Sequence, residues 1–333
     1  MNHKMVLKVI VFGLAFSLAL AAVPGTAKAI TLIPPMLEFG LTKGEPTKTS
    51  IKIYNETAAP VELYTEVRNF TASGDTGQPA FDFTDTEQVG LSTWVNVPDG
   101  PITVNPGDRY EVPVTINTPT DASPGGHYAA VFFTTSPPAD GQVKIASKIG
   151  TLLLADVSGQ VTESGSITKF STIDGQKAFT RLPITFYTMF GNTGNIHLRP
   201  TGSITITNMF GKEQTKLTFN SSNGATLPDS TRRYETMWEK QSVNETTGNA
   251  WAGFWKEYTN ERENFAIGRY KAHLSITAGT NSDVTAASDT SFWVFPWHIV
   301  LVWFVVVVLG IGVLILGIKK YNQWIVKKSQ GTK

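Results

Sequence analysis

The sequence predicts an all-β body of two tandem sandwiches, tethered to a membrane by one helix. Three observations predict it. Ile299 to Ile318 (IVLVWFVVVVLGIGVLILGI) is a run of twenty residues without a charge. Before it, from Ile30 to Phe295, short alternating runs rich in Val, Ile, Thr and Tyr are broken by Gly, Pro, Asn and Asp. That is the pattern of antiparallel strands joined by tight turns. Landmarks in the first half of this stretch recur in the same order in the second half.

Composition narrows the function class. The chain has 333 residues, a net charge of +1, 17 % charged residues and no cysteine. A charge so near balance gives no basic footprint for nucleic acid. Disulfides, thiolate nucleophiles and cysteine metal sites are excluded, so an exported domain of this chain relies on its hydrophobic core.

The amino terminus reads as a secretory signal peptide, residues 1–29. Lys4 and Lys8 precede the apolar run Val9–Val23, Pro24-Gly25 breaks it, and Ala27-Lys28-Ala29 supplies the small-residue cleavage pattern. An uncleaved first transmembrane helix is the alternative.

The first sandwich is expected over 30–160. ITLIPPMLEFGL is a split first strand, interrupted by Pro34-Pro35, which cannot donate to a ladder. Alternating strands follow at TKTSIKIYN, at VELYTEVRNF and at RYEVPVTIN, where Tyr110, Val112, Val114 and Ile116 share a face. Asn105-Pro106-Gly107-Asp108 places Pro and Gly where a type II turn wants them. Residues 71–88 read as a long polar loop. HYAAVFFTTS is a strongly apolar strand, and a long strand region is expected from Val143 to Val161.

The second sandwich, 161–294, repeats this texture, with Asn208-Met-Phe-Gly211 as a hairpin tip. Asn55 matches Asn192. Pro106-Gly-Asp-Arg-Tyr110 matches the stretch from Leu227 to Tyr234, and Gly126-His-Tyr128 matches Gly268-Arg-Tyr270. A tyrosine leading into a strand suits an Ig-like sandwich corner, its hydroxyl tied to backbone. The expected fold is thus two tandem Ig-like antiparallel β-sandwiches followed by a single transmembrane α-helix.

The blocks NETAAPV, PGDRYEVPVTI and TPTDASPGGHYAAVFF resemble the first extracellular domain of the WxL-interacting cell-surface proteins, whose overall plan is also similar. The resemblance implies a first domain that binds peptidoglycan and a second that binds a host or partner protein. It assigns no binding residue to a position here.

No constellation in the sequence demands catalysis. His127, His197 and His273 lie far apart, and neither a G-x-S-x-G elbow nor a P-loop is present. No catalytic residue, cofactor or metal is therefore expected, and the chain is read as a non-enzyme. Asp75, Asp82, Asp85 and Glu87 could offer oxygen ligands to calcium, but their spacing matches no EF-hand, and a solvated loop is the plainer reading. Asn55, Asn69, Asn220 and Asn244 each begin an N-x-S/T sequon.

The insertion 238–265 is rich in aromatics. Trp251, Phe254, Trp255 and Tyr258 fall at i, i+3, i+4 and i+7, one face of a short helix. Three readings stay open: a partner-binding platform for a glycan or protein, a cap over the end of the second sandwich, or a contact with the membrane interface.

The span is expected over 295–320. At about 1.5 Å per residue the uncharged run covers roughly 30 Å, the thickness of a bilayer core. Trp297 and Trp303 mark one border, Lys319 and Lys320 the other. Lysines concentrate in the tail 321–333, which places the tail in the cytoplasm and the body outside. The expected function is a membrane-anchored binding or scaffolding protein of a bacterial-type cell envelope, with a cell-wall glycan or surface protein as partner. The alternative is an assembly or secretion chaperone lending a strand edge, with Lys148–Val157 as the candidate edge.

Overall fold

The computed structural model describes residues 29–81, 83, 89–135, 148–241 and 249–330, with the side chains of 327–330 excepted. The expected signal peptide, residues 143–147, three of the four acids considered for calcium (Asp82, Asp85 and Glu87), Asn244 and the last three residues lie outside that range. The described chain is mostly β-sheet, arranged in several sheets, with one carboxy-terminal apolar helix.

The split first strand belongs to two sheets. β1 (Ile30–Ile33) pairs antiparallel with β3 (Pro46–Asn55). β2 (Met36–Leu41) lies instead beside β10 (Lys148–Val157). Pro34-Pro35 falls at the crossover, where no ladder donor is needed, and the carbonyl oxygens of both prolines accept hydrogen bonds from β10, from Thr151 Oγ1 and Leu152 N–H. With β6 (Val95–Asn96) and β8 (Arg109–Asn117), the first sheet has the order β1-β3-β8-β6. The second has the order β2-β10-β9-β4-β5, built from β4 (Val61–Ser73), β5 (Gln78–Phe81) and β9 (Gly125–Thr134), and β7 (Ile102–Val104) also pairs with β4. One helical turn, α1 (Leu91–Trp94), precedes β6.

Three expectations change here. The candidate edge Lys148–Val157 is not an edge, because β2 covers one side and β9 the other. Its partner lies more than a hundred residues upstream, out of reach of local pattern. The polar stretch 71–88 is not all loop: Thr71–Ser73 extends β4 and pairs with Gln78–Ala80. Tyr110 is 41 % exposed although Val112, Val114 and Ile116 on its face are buried and its register partner Ile53 is fully buried.

After Val157 come two more sheets. One has the order β11-β13-β16, from β11 (Gly165–Thr172), β13 (Ile184–Asn192) and β16 (Ser230–Trp238). The other has the order β12-β18-β17-β14-β15, from β12 (Ala178–Phe179), β14 (Thr201–Asn208), β15 (Glu213–Phe219), β17 (Gly268–Ala278) and β18 (Val284–Val294). Both sheets feed one core that includes Phe186, Phe190, Trp238, Ile204, Leu274 and Phe292. The rings of Phe186 and Phe292 meet across it at 5.6 Å. Each such side chain contributes about 1.5–3 kcal/mol through burial.

By internal contacts the chain divides into two compact units, one up to Ala155 and one from Asp156 onward. The second also takes in Phe70–Asp82 and Ala122–His127.

The matched landmarks have a shared structural cause. Asn55 is fully buried. Its Oδ1 accepts from Thr57 N–H, and its Nδ2 donates to the carbonyls of Ala59 and Val104. Asn192, 1 % exposed, repeats the set with Gly194 N–H and the carbonyls of Ile196 and Thr226. Val104 and Thr226 each stand just before the second landmark, so in each half the asparagine ties the end of one strand to the turn that starts another. The turn Asn105–Asp108 closes with Asp108 N–H on the Asn105 carbonyl, and Gly107 has φ 77, as a type II turn requires. Tyr270 carries the expected corner bond, its hydroxyl accepting from Ile267 N–H at 3.1 Å.

Candidate functional site

The aromatic insertion forms α2 (Ala250–Glu263), capped by Asn249, whose side chain accepts from Ala252 N–H. Two residues separate β18 from the apolar helix α3 (Trp297–Gln330). Its stretch Trp297–Val326 is long and apolar enough to cross a membrane, and none of its most apolar window is buried. The helix runs past the expected end at 320, because nothing between Lys319 and Gln330 breaks it; the next glycine is Gly331.

The two helices join at a buried polar clamp. Glu261 of α2 has no exposed surface. Its Oε1 accepts from His298 Nδ1 at 2.7 Å, and its Oε2 accepts from Ile299 N–H at 3.1 Å. Ile299 N–H is one of the first-turn donors that a helix leaves without an internal partner. A carboxylate placed there also faces the positive end of the helix dipole. Asn264 is buried beside the clamp and accepts from Gln241 N–H, tying the end of α2 to the residues after β16. Arg181 holds Glu257 at 2.8 Å on a more exposed side of α2.

The four aromatics that share a face in the sequence are linked through Trp255, whose ring meets Trp251 at 5.8 Å and Phe254 at 5.5 Å. Phe254 packs edge-on against Trp297 at 6.0 Å and His298 at 5.0 Å. Tyr258 is half-buried and packs against Trp255 at 5.6 Å. Trp251 is 71 % exposed and Trp255 42 %. Trp303, Lys319 and Lys320 lie exposed along α3. Glu261 and His298 had no signal in the sequence beyond an acid in a helix and a histidine at a border, 37 residues apart.

A second feature lies on the outer face of the five-stranded sheet. Between β14 and β15 the loop Met209-Phe210-Gly211 turns on Asn208, whose Oδ1 accepts from Phe210 and Lys212 N–H. Gly211, at φ 75, supplies the left-handed residue this loop needs. Below the tip is an open groove of about 660 Å³ lined by Asn208, Met209, Arg269, Lys271 and Asp289. Asp289 is held below the ordinary carboxylate range by the hydrogen bond from His273 at 2.8 Å and then by Lys271 at 3.0 Å.

The other flagged residues have local roles. Asp75 faces Arg233 at 3.7 Å. Among the described residues no three acids or histidines converge as a metal site. The sequon residues Asn55 and Asn220 are buried, and both spend their amide donors on backbone carbonyls.

No family model matches the chain, and no curated protein matches it. Among solved structures it is similar to the class 5 fimbriae chaperone CfaA, at 10 % identity and a TM-score of 0.37, covering 79 % of this chain and 99 % of that one. It is also similar to a chain of the CsuC–CsuE chaperone–tip adhesion subunit complex of Acinetobacter baumannii, at 10 % identity and a TM-score of 0.36, covering 78 % and 97 %. A protein of unknown function from Porphyromonas gingivalis shares 10 % identity at a TM-score of 0.27, covering 80 % and 99 %. Likenesses of this size carry no weight for function.

Proposed function

We propose that the chain is a single-pass membrane protein whose β-sheet body stands outside the membrane and whose basic tail stands inside, and that it binds a cell-envelope partner. The partner is a cell-wall glycan such as peptidoglycan, or a surface protein. The observation that carries this is the Glu261 clamp, which seats the start of the span against α2 within the same unit as the second sandwich. A unit so joined to α3 can act as a display platform, and loops and strand edges are where such platforms bind.

Two Ig-like sandwiches are the finer fold reading. Its support is the topology. β11-β13-β16 facing β18-β17-β14 follows the A-B-E and G-F-C pairing of Ig-type sandwiches. The first strand region crosses between sheets in both halves, from β1 to β2 and from β11 to β12.

Full-length protein in nanodiscs, mixed with purified cell wall and with released surface proteins, tests the proposal. Retention of a defined component from either source supports it, and retention of nothing from both contradicts it. A chaperone reading needs a free strand edge other than β10. β15 ends the five-stranded sheet and offers one. Capture of unassembled subunits, with no capture of mature wall or surface protein, would favour that second reading.

A further inference from the structure

We propose that the α3-side end of the second unit is a lipid-contacting collar, with α2 and the β14–β15 tip set into the headgroup–acyl boundary of the bilayer that α3 spans. The proposal rests on α3 being a membrane span.

The exposed apolar residues are concentrated at one end. Among the described residues between Asp156 and Pro296, every exposed large apolar side chain except Val161 lies toward the end from which α3 departs. Register fixes this. Gly268 pairs with Val294, the last residue of β18, and Asn208 pairs with Tyr270, so the Met209-Phe210 tip sits beside the start of β17. Ile184 pairs with Trp238, which puts Met237 at the same end, where Trp238 and Phe292 meet edge-on at 6.1 Å. Val161 adjoins the opposite end, where Thr162 N–H meets Asn195 Oδ1.

Depth follows from the clamp. Phe254 and Glu261 of α2 touch residues 297–299, where the uncharged run of α3 begins. Trp251 and Trp255, on the same short helix, therefore stand within a side chain's reach of the hydrocarbon border. Tryptophan favours that border because its ring is apolar and its N–H is polar. The hairpin turn pushes Phe210 outward to 84 % exposure with no fold-internal use for it. A protein partner would need only one of these patches, whereas a planar bilayer meets the helix, the tip and Trp293 together, and it is continuous with the surface around α3.

The absence of cysteine permits a direct test in the full-length protein. Single-cysteine variants F210C, W251C and F265C (Phe265 follows the end of α2 and is 44 % exposed), with V161C and L309C as references, are labelled with an environment-sensitive fluorophore and placed in phosphatidylcholine vesicles. Far-UV circular dichroism checks that each variant is folded. The expected result is loss of emission at 210, 251 and 265 with lipid brominated near the headgroup and protection from aqueous iodide, with V161C showing the reverse. Iodide quenching at 210, 251 and 265 equal to that at 161 overturns the collar. Protection from both quenchers also overturns it, since a protein contact would then cover these residues. If L309C is not quenched by deeply brominated lipid, the span itself fails, a result separable from failure of the collar.

Discussion

The Glu261 carboxylate lies 2.7 Å from the His298 ring nitrogen, fully buried, with its second oxygen on Ile299 N–H. One side chain thus accepts a first-turn N–H of α3 and fastens α2 to that helix. Removing it leaves buried donors without an acceptor, which costs about 1–3 kcal/mol. Glu261→Ala should raise local opening of α2, read by amide hydrogen exchange of the protein in nanodiscs, by roughly 5- to 150-fold. Exchange in β13 and β17 should not change. Unchanged exchange in α2 would show that the clamp does not hold the helix.

Arg181 and Glu257 form a further tie to α2, but both side chains are partly exposed. Partly exposed pairs contribute about 0–1 kcal/mol. Arg181→Ala should therefore alter α2 exchange far less than Glu261→Ala. An equal or larger effect would reverse the ranking of the two contacts.

Asn55 and Asn192 each join a turn to a distant carbonyl from a buried position. Replacement of either by Ala removes at least three hydrogen bonds, although the Ala59 carbonyl keeps Thr57 Oγ1 and the Thr226 carbonyl keeps Leu198 N–H, and should destabilise the protein by about 1–3 kcal/mol. The separate midpoints of unfolding in urea measure this. A loss below about 1 kcal/mol at both sites would mean that these bonds are made to water as readily.

Glu66 provides a pH prediction. Burial raises its pKa, but hydrogen bonds from Lys148 at 2.6 Å and Arg68 at 2.8 Å outweigh it and hold the pKa below the ordinary 4.5. A carboxyl group with a lowered folded pKa contributes stability that is present above its unfolded pKa and is lost as pH falls through the folded one. Stability should thus decline as pH drops from 4.5 downward, and Glu66→Gln should flatten part of that decline in acid titrations followed by circular dichroism. An identical acid profile for the variant would remove Glu66 from the cause.

Much of the fold was legible because burial imposes a period. Val112, Val114 and Ile116 alternate as expected, and the Pro-Gly and Asn-Met-Phe-Gly turns formed where local chemistry required them. What escaped depended on distant pairing. β2 covers β10 from the far end of the first unit's sequence, and the polar β4–β5 hairpin has no apolar stripe to announce it. The site was legible only in part. Helical spacing put Trp251, Phe254, Trp255 and Tyr258 on one helix, but which of them face outward depends on where α3 packs. Glu261 looks like an ordinary solvated acid until His298 and Ile299 meet it.

The proposed topology is a β-sheet body displayed outside the membrane on one span. Single cysteines at an exposed body position, Val161→Cys, and at an exposed position after the lysine pair, Asn322→Cys, can be probed with a membrane-impermeant maleimide on intact cells. The expected result is labelling of V161C in intact cells and of N322C only after permeabilisation. Labelling of N322C from outside, or of V161C only after lysis, would contradict it.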